Sequence, residues 1–247
     1  MDTHCGRMCR FSKVDSGAMK GYSLVVQTDD YLIINKAPGV SVHRDEAETG
    51  LLQQIATDLS CGPLYLVHRL DKMTSGLLLL GRHAQAASIL SQQFQLRTVE
   101  KYYIALSDQK PRKKQGLIKG DMERSRRGSW KLTTGMSNPA VTRFFSCAAS
   151  PGLRLFLLRP LTGKTHQLRV ALKSVGAAII GDQRYHSASE QSADRGYLHA
   201  WCLAFDWQGE RREYLCDPDI GELFLQDAVK QQLESWKPPG SLAWPKA

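Results

Sequence analysis

The side chains best suited to chemistry are concentrated in one short segment between two apolar runs. Residues 68–75 read HRLDKMTS and lie between a β-rich run at 64–67 and an apolar run at 77–80. Turns are usually built from Gly, Pro, Asn, Asp and Ser, and an Asp with a Thr three residues later can serve only to hydrogen-bond such a turn. A turn does not need an imidazole, a guanidinium, a carboxylate and two hydroxyls together. Segment 68–75, called the elbow below, therefore predicts a reactive site with one carboxylate, Asp71.

The elbow resembles a known signature, and further blocks of the chain match the same family. HRLDKMTSG at 68–76 resembles the HRLDxxTSG motif of the RluA-type pseudouridine synthases. The other blocks are NKAPGVSVH at 35–43, KYYIA at 101–105, TGKTHQLRV at 162–170, GDQRY at 181–185 and LHA at 198–200. Each block is short, but all six occur in the family's order across roughly residues 22–225, which makes the resemblance specific.

The resemblance implies a catalytic role for the carboxylate of the elbow. Pseudouridine formation breaks the N1–C1′ bond of uridine, turns the base and rejoins it through C5. The family's catalytic residue corresponds to Asp71, and the sequence leaves open whether it attacks the base, attacks C1′ or removes a sugar proton. A carboxylate in a partly dry cleft tends to become neutral, whereas a nearby guanidinium keeps it ionised and orients it. By resemblance that guanidinium belongs to Arg169, although the residue alone could be an exposed arginine in a weak ion pair.

A second set of roles concerns the target base. Tyr103 matches the family tyrosine that stacks on this base and is a candidate to take the C5 proton. A phenol with a pKa near 10 is a poor base unless its surroundings lower that value, so stacking is the firmer expectation. Tyr102 points to the opposite face of the same strand and is expected in the core. Arg69 is expected to enter the space that a flipped nucleotide leaves, with a phosphate contact as the alternative.

Four other residues are expected to support the site. They are His68, Thr74, Lys164 and His166. His68 is expected to support the elbow by hydrogen bonding rather than to transfer protons. Lys164 stands where the family usually has Arg, which keeps the charge but loses the planar fork, and Ala171 stands where the family commonly has His. These departures are expected to alter the grip on substrate without removing the chemistry of Asp71.

Composition and charge restrict the partners. The 247 residues carry 33 Lys and Arg against 24 Asp and Glu, a net charge of +9. Such an excess suits a polyanion, because neutralised phosphates release counterions. The resemblance implies that this polyanion is structured RNA, either tRNA or ribosomal RNA, and we expect the protein to be a monomer. No run approaches the ~20 apolar residues of a membrane span, and the N-terminus lacks the apolar core of a secretory signal. We therefore expect a cytoplasmic protein without a membrane partner.

No cofactor or metal is expected. The chain has neither a Walker-type GxxxxGK[ST] motif nor a strand–GxGxxG–helix unit. The six cysteines form no CxxC pair, and a metal site at His4, Cys5 and Cys9 would lack a fourth ligand. The remaining cysteines are expected to be reduced core residues; they are Cys61, Cys147, Cys202 and Cys216.

The element pattern predicts an α+β fold. Strand-like runs occur at 23–27, 31–35, 101–106, 141–147, 153–158, 198–207 and 212–215, and helical periodicity occurs at 51–59, 84–96, 165–174 and 221–236. Tight turns between neighbouring strands favour a mixed, largely antiparallel sheet. The resemblance implies one long bent sheet, flanked by helices and loops around a central catalytic cleft. We expect a disordered extension at 1–18, a catalytic domain at 19–236 and a tail at 237–247.

The polar stretch at 108–139 has two interpretations. It carries basic runs at 110–114 and 124–127, which fit either a solvated hairpin or a phosphate-contacting insertion with Trp130 as a stacking surface.

Other function classes also remain open at this point. The first is an RNA-binding or RNA-folding protein on the same scaffold with no turnover. The second is a nucleoside or glycoside hydrolase, which usually needs a pair of acids, whereas the elbow offers Asp71 alone. An RNA methyltransferase is disfavoured because no cofactor-binding glycine loop is present.

Overall fold

A computed structural model of the chain describes residues 21–42, 50–186 and 193–246. The expected extension at 1–18 and its candidate ligands His4, Cys5 and Cys9 lie outside these residues, as does His43 at the end of the 35–43 block. No helix within the described ranges is long and apolar enough to cross a membrane.

The described residues form strands β1–β12 and helices α1–α4. The strands are β1 (Tyr22–Gln27), β2 (Tyr31–Lys36), β3 (Tyr65–Leu66), β4 (Ser75–Gly81), β5 (Glu100–Ser107), β6 (Gln115–Gly120), β7 (Met122–Arg124), β8 (Trp130–Leu132), β9 (Ala140–Ser150), β10 (Leu153–Pro160), β11 (Leu198–Trp207) and β12 (Glu210–Leu215). The helices are α1 (Leu51–Asp58), α2 (Ala84–Leu96), α3 (Gln167–Ser174) and α4 (Asp227–Ser235), with short 3-10 turns at Arg126–Gly128 and Pro239–Ser241.

Ten of these strands form one sheet. Its order is β1-β2-β4-β11-β5-β10-β9-β6, with β12 paired to β11 and β3 paired to β4. Every pair is antiparallel except β4 with β11. Strands β7 and β8 form a separate two-stranded hairpin. The predicted α+β fold with a mixed, largely antiparallel sheet is confirmed.

A close approach of β4 and β11 places the elbow at the centre of the sheet. The parallel register pairs Ser75 with His199 and Gly76 with Ala200. Gly76 has a φ of +104°, and a Cβ added there would lie 2.3 Å from the carbonyl oxygen of Ala200. Only glycine allows the two backbones to meet in this way, so the last residue of the HRLDKMTSG block is needed for the fold.

Helices cover both faces of the sheet around β4. Its odd-numbered leucines share a core cluster with Leu90 of α2, and its even-numbered leucines share one with Ile55 of α1. Burial on both faces explains the unbroken apolar run at 77–80. A third cluster joins β5, β9 and β10 to α3 and α4, and it includes Leu172 and Leu233.

Two element predictions were incomplete. The helix predicted at 221–236 begins only at Asp227. The backbone N–H of Glu222 instead donates to Asp194, and that of Leu223 donates to the hydroxyl of Tyr197, so these tertiary contacts hold the preceding residues in turns. Within the stretch 108–139, β6 was not predicted. It is an edge strand, and Ile118 is its one buried large apolar side chain, so the hydrophobic pattern is weak.

The cysteine prediction holds in part. All four described cysteines are free, as expected, but only Cys202 and Cys216 are buried. Cys61 and Cys147 are partly exposed, because Cys61 lies in the turn after α1 and Cys147 lies towards the end of β9.

The last residues pack against the sheet. The ring of Trp244 lies 5.7 Å from that of Tyr102 and 4.8 Å from that of Phe145. The Tyr102 side chain is fully buried, as expected for the face of β5 opposite Tyr103.

Candidate active site

All eight residues named from the sequence line one cleft. This cleft has a volume of about 560 Å³ and is bounded by the elbow, the end of α2, the start of β5 and the segment leading into α3. The eight residues are Asp71, Tyr103, Arg169, Arg69, His68, Thr74, Lys164 and His166. Among the described residues that line the cleft, Asp71 is the sole carboxylate, whereas several cations surround it.

Asp71 is held by Arg169 from one side. The Nη1 of Arg169 donates a 3.2 Å hydrogen bond to Oδ2 of Asp71. The Nε and Nη2 of the same guanidinium each donate a 2.7 Å bond to Asp182. Arg169 is only 8% exposed and Asp182 is fully buried, so this is an enclosed cluster and not the surface ion pair left open by the sequence. The bidentate pair fixes the arginine, and the arginine then orients Asp71.

Electrostatics keep Arg169 charged. Burial opposes its charge, but the hydrogen bonds and charge of Asp182, followed by those of Asp71, raise the pKa of Arg169 above its ordinary value. The guanidinium also lies over the ring of Tyr185, 5.0 Å from its centroid. A positively charged guanidinium therefore faces Asp71 and orients its carboxylate through the 3.2 Å hydrogen bond.

Asp182 was matched to a family block but assigned no role from the sequence. Its Oδ1 accepts bonds from the backbone N–H groups of Arg184 and Tyr185 as well as from Arg169. The preceding Gly181 has a φ of +75°, and a Cβ there would lie 1.9 Å from the carbonyl oxygen of Arg195. The GDQRY block thus builds a tight turn whose carboxylate anchors the arginine of another block. No sequence signal indicated this pairing, because the burial of Arg169 was not predicted.

Tyr103 faces the cleft from β5. Burial, and secondly the charge of Asp71, raise the pKa of its phenol well above the ordinary value. The hydroxyl therefore stays protonated at neutral pH, and Tyr103 offers an aromatic ring rather than a phenolate to a ligand in the cleft. This fits a stacking platform better than a free phenolate base.

His68 supports the elbow as a neutral imidazole. Its Nε2 accepts a 2.9 Å bond from the backbone N–H of Leu79, and its ring stacks on Phe94 at 4.4 Å. Burial, with a smaller contribution from the positive charge of Lys101, lowers the pKa of His68 to about 3. An imidazole that stays neutral and accepts a backbone bond has a structural task, which is the geometry expected for this residue.

Lys36 is a supporting residue that sequence reasoning missed. It is fully buried, and its Nζ donates to the carbonyl oxygens of Ala37, Val40 and Lys72. The backbone N–H of Gly39 donates to the same Lys72 carbonyl at 2.8 Å. The NKAPG block is therefore bonded to the elbow one residue after Asp71. An uncompensated lysine inside a β-rich run was the available signal.

A buried polar chain supports the other end of the elbow. Arg195 donates to the hydroxyl of Ser75, and that hydroxyl lies 2.7 Å from Nδ1 of His199. The His199 Nε2 lies 2.8 Å from the carbonyl oxygen of Cys216. Burial lowers the pKa of His199 to about 4 and that of Arg195 to about 10. If His199 is neutral with its proton on Nε2, it donates to the Cys216 carbonyl and accepts from the Ser75 hydroxyl, which itself accepts from Arg195.

The TGKTHQ segment is held by the side-chain amide of Gln167. Its Oε1 accepts bonds from the Thr162 hydroxyl and the Lys164 backbone N–H, and its Nε2 donates to the Val141 carbonyl and the Thr142 hydroxyl. Every donor and acceptor of this amide is used. The Lys164 ammonium bonds the side chain of Asn138 at the cleft margin, so the charge that replaces the family's arginine faces outward.

His166 and the remaining elbow residues complete the cleft. His166 has a φ of 57°, a left-handed backbone conformation that aims its Nδ1 at the Tyr185 hydroxyl, 2.9 Å away. Burial, and then the charge of Arg169, lower the pKa of His166. Thr74 is buried, and its N–H closes a turn on the carbonyl of Asp71. Arg69 is exposed at the cleft and free to reach a ligand.

Comparison with known proteins identifies the family of this chain. The family model described as RNA pseudouridylate synthase matches residues 30–174, a span that contains the elbow and Arg169. The chain belongs to the RNA pseudouridine synthase family. Its members are isomerases that act on RNA, so this chain is an RNA-modifying isomerase.

Among the described residues, no three His, Cys, Asp or Glu side chains converge as a metal site.

Relatives and solved structures agree with the family. An uncharacterized RNA pseudouridine synthase of Haemophilus influenzae is 48% identical over 85% of this chain and 94% of its own length. A protein of Vibrio vulnificus named ribosomal large subunit pseudouridine synthase C is 29% identical over 81% of this chain and 66% of its own length. The structure of human RNA pseudouridylate synthase domain containing 1 shares the fold, with a TM-score of 0.71 and 24% identity, covering 95% of this chain and all of that one.

Proposed function

We propose that this chain converts specific uridines of ribosomal or transfer RNA to pseudouridine, with Asp71 as the catalytic carboxylate. The observation that carries the proposal is the placement of Asp71. It is the single acid among the described cleft-lining residues, and it is oriented by an arginine that Asp182 fixes. A hydrolytic site of the two-carboxylate kind has no second acid here.

The geometry suits an isomerisation without a co-reactant. The N1–C1′ bond breaks, the base turns, a C5–C1′ bond forms, and the C5 proton leaves while N1 gains one, so all atoms balance. Asp71 is the proposed group that acts on the base or the sugar, and Arg169 orients its carboxylate from 3.2 Å away. Base turning requires a cleft larger than the base, and about 560 Å³ provides that room.

Tyr103 and Arg69 are proposed to handle the flipped nucleotide. The ring of Tyr103 lies in the cleft wall, where it can stack on the target uracil with its hydroxyl protonated. Arg69 is exposed two residues before Asp71, so its guanidinium can enter the space left in the RNA stack. Both roles require the nucleotide to leave its helix before chemistry.

The β7–β8 hairpin is proposed to contact the RNA backbone. The connection between its strands carries Arg126 and Arg127, both exposed. The guanidinium of Arg124 lies 5.6 Å from the ring centroid of Trp130, so this aromatic surface is already covered by a cation. We therefore propose that this hairpin contacts phosphates. Base stacking on Trp130 would require Arg124 to move away from the ring.

Ribosomal RNA and transfer RNA are the two proposed substrate classes. The Vibrio vulnificus relative is named for the ribosomal large subunit, which supports ribosomal RNA. The net charge of +9 suits either ribosomal or transfer RNA, because both present dense phosphates.

The proposal is tested by release of tritium from RNA that carries uridine tritiated at C5. Total RNA from cells lacking the protein is the substrate, and Asp71→Asn is compared with the wild type and with Asp206→Asn, which alters an exposed carboxylate. We expect release by the wild type and Asp206→Asn, and a loss of about a hundredfold or more with Asp71→Asn. Free uracil would instead indicate a hydrolase, and RNA binding without release would indicate the non-catalytic alternative.

A further inference from the structure

The β7–β8 hairpin is bonded directly to the turn that anchors the catalytic arginine. The backbone N–H of Trp130 donates a 2.9 Å bond to the hydroxyl of Tyr185. The side chain of Arg184 donates a 2.9 Å bond to the carbonyl of Arg127 in the connection between the strands. Next to it, Gly128 has a φ of +70°, and a Cβ there would lie 2.9 Å from Nη1 of Arg184. The hairpin is thus docked on the 182–185 turn by two hydrogen bonds and by a close contact between Gly128 and the Arg184 side chain.

The hydroxyl and the ring of Tyr185 also contact residues of the active site. Its hydroxyl lies 2.9 Å from Nδ1 of His166, which lines the cleft. Since the pKa of His166 is lowered, the imidazole is neutral near pH 7 and can accept the phenol proton while the phenol accepts from Trp130. The Tyr185 ring lies under the guanidinium of Arg169, 5.0 Å away, and is only 4% exposed.

One buried side chain therefore contacts three functional groups: the hairpin backbone, the cleft histidine and the arginine that orients Asp71. The turn around it is rigid, because Asp182 accepts the backbone N–H of Tyr185 while binding Arg169. A displacement of the hairpin must therefore move the Tyr185 hydroxyl or break its bond to Trp130.

We propose that Tyr185 is a positioning residue that couples engagement of RNA by the β7–β8 hairpin to the alignment of Arg169 and His166 at Asp71. This inference rests on the proposed function. RNA phosphates bound to the exposed arginines of the hairpin hold it in this docked position on the 182–185 turn, and the phenol then keeps His166 and Arg169 in their reactive arrangement. The full turnover rate requires an RNA long enough to reach the hairpin.

The test uses Tyr185→Phe, which keeps the ring under Arg169 and removes both bonds of the hydroxyl. Tyr214→Phe is the matched control, because its hydroxyl bonds only that of Tyr31, on another part of the sheet. Single-turnover rates are measured at saturating enzyme on two RNAs that contain the mapped uridine. One is a long fragment, and the other is a stem-loop trimmed to the nucleotides that fill the cleft. Thermal unfolding midpoints verify that each variant is folded.

We expect the long fragment to react about tenfold faster than the stem-loop with the wild type and with Tyr214→Phe, a ratio of the size that one or two hydrogen bonds can produce. With Tyr185→Phe the long fragment should slow to the stem-loop rate, while its Kd stays within about twofold of the wild-type value. Equal ratios in the wild type and Tyr185→Phe would overturn the coupling, as would an equal slowing of both RNAs, which indicates a merely structural tyrosine. Absence of pseudouridine with the wild type would instead refute the proposed function itself.

Discussion

The guanidinium of Arg169 donates one hydrogen bond to Asp71, at 3.2 Å, and keeps its two shorter bonds for Asp182. Among the described residues no donor reaches Oδ1 of Asp71, which leaves that oxygen for the substrate. Asp182 fixes the position of Arg169, and Arg169 then donates to Asp71. This division of donors orients the carboxylate and leaves one of its oxygens without a donor from the described residues, as the proposed catalytic role requires.

Replacing Asp182 should lower both the stability of the protein and its turnover rate. We expect Asp182→Asn to lower the free energy of unfolding by about 3 kcal/mol, because the buried Arg169 loses its compensating charge. Turnover should fall by at least about tenfold, because the guanidinium is free to pair with Asp71 in other geometries. Urea unfolding and tritium release measure the two effects.

The control for this variant is an exposed ion pair. Asp206→Asn removes one of two acidic partners of Arg211, at 3.4 Å on the surface, and leaves Glu100 at 3.0 Å, so it should cost less than about 0.5 kcal/mol. A similar loss of stability in both variants would contradict the role assigned to Asp182.

Removing the ring of Tyr103 should affect RNA binding, whereas removing its hydroxyl should not. Stacking on a flipped base is worth about 1–3 kcal/mol, so Tyr103→Ala should raise the Kd for the substrate RNA by about tenfold or more. Tyr103→Phe keeps the ring and should bind within about twofold of the wild type. Fluorescence anisotropy with the mapped RNA measures both values. Equal weakening by the two substitutions would show that the hydroxyl, and not the ring, contacts the nucleotide.

Stability should decline below neutral pH because His68 and His199 are held neutral. Burial lowers their pKa values to about 3 and about 4, against 6.5 for an ordinary histidine. The unfolded chain therefore takes up these protons first, so the stability present above pH 6.5 is lost as the pH falls towards 4. Each histidine contributes up to about 1.4 kcal/mol per pH unit in this window.

Urea unfolding at several pH values measures this slope. His68→Gln should make it shallower by the contribution of one group, and His199→Gln should do the same. A variant that is less stable at every pH but has the wild-type slope would contradict the assignment of a neutral histidine at that position.

Gly76 should tolerate no side chain. A Cβ at this position meets the Ala200 carbonyl oxygen at 2.3 Å and adds an unfavourable φ of +104°, so we expect Gly76→Ala to lower the free energy of unfolding by more than about 3 kcal/mol. Gly152→Ala separates the two effects, because Gly152 has a φ of +74° with open space around it. That control should cost only about 1 kcal/mol. Similar costs for both variants would show that the close approach of β4 and β11 is not maintained.

Sequence patterns were sufficient where local chemistry decides the structure. A tight turn was predicted between the strand-like runs at 198–207 and 212–215, and Gln208 and Gly209 between them have the positive φ values that such a turn requires. The central cleft was expected from the family resemblance, which the elbow and the TGKTHQLRV block carry. All eight candidate residues come together in the cleft, and the roles proposed for them await the experiments above.

Contacts between distant segments were beyond prediction. Asp182 pairs with an arginine from another block across a helix and a loop, and no local pattern shows that pairing. Lys36 is buried because three carbonyls from two loops surround it, which depends on how those loops meet. The late start of α4 has the same origin, since Asp194 takes the N–H of Glu222. In each case tertiary partners override a local preference.

The central claim is that Asp71 carries out a uridine isomerisation in RNA. The most direct measurement is site-resolved pseudouridine mapping, by chemical derivatisation and reverse transcription, of total RNA from three strains: one with the protein, one without it, and one with Asp71→Asn. We predict at least one uridine that is modified only when intact Asp71 is present, and its position identifies the RNA. Normal modification of that uridine by Asp71→Asn, or no site that depends on the protein, would contradict the account.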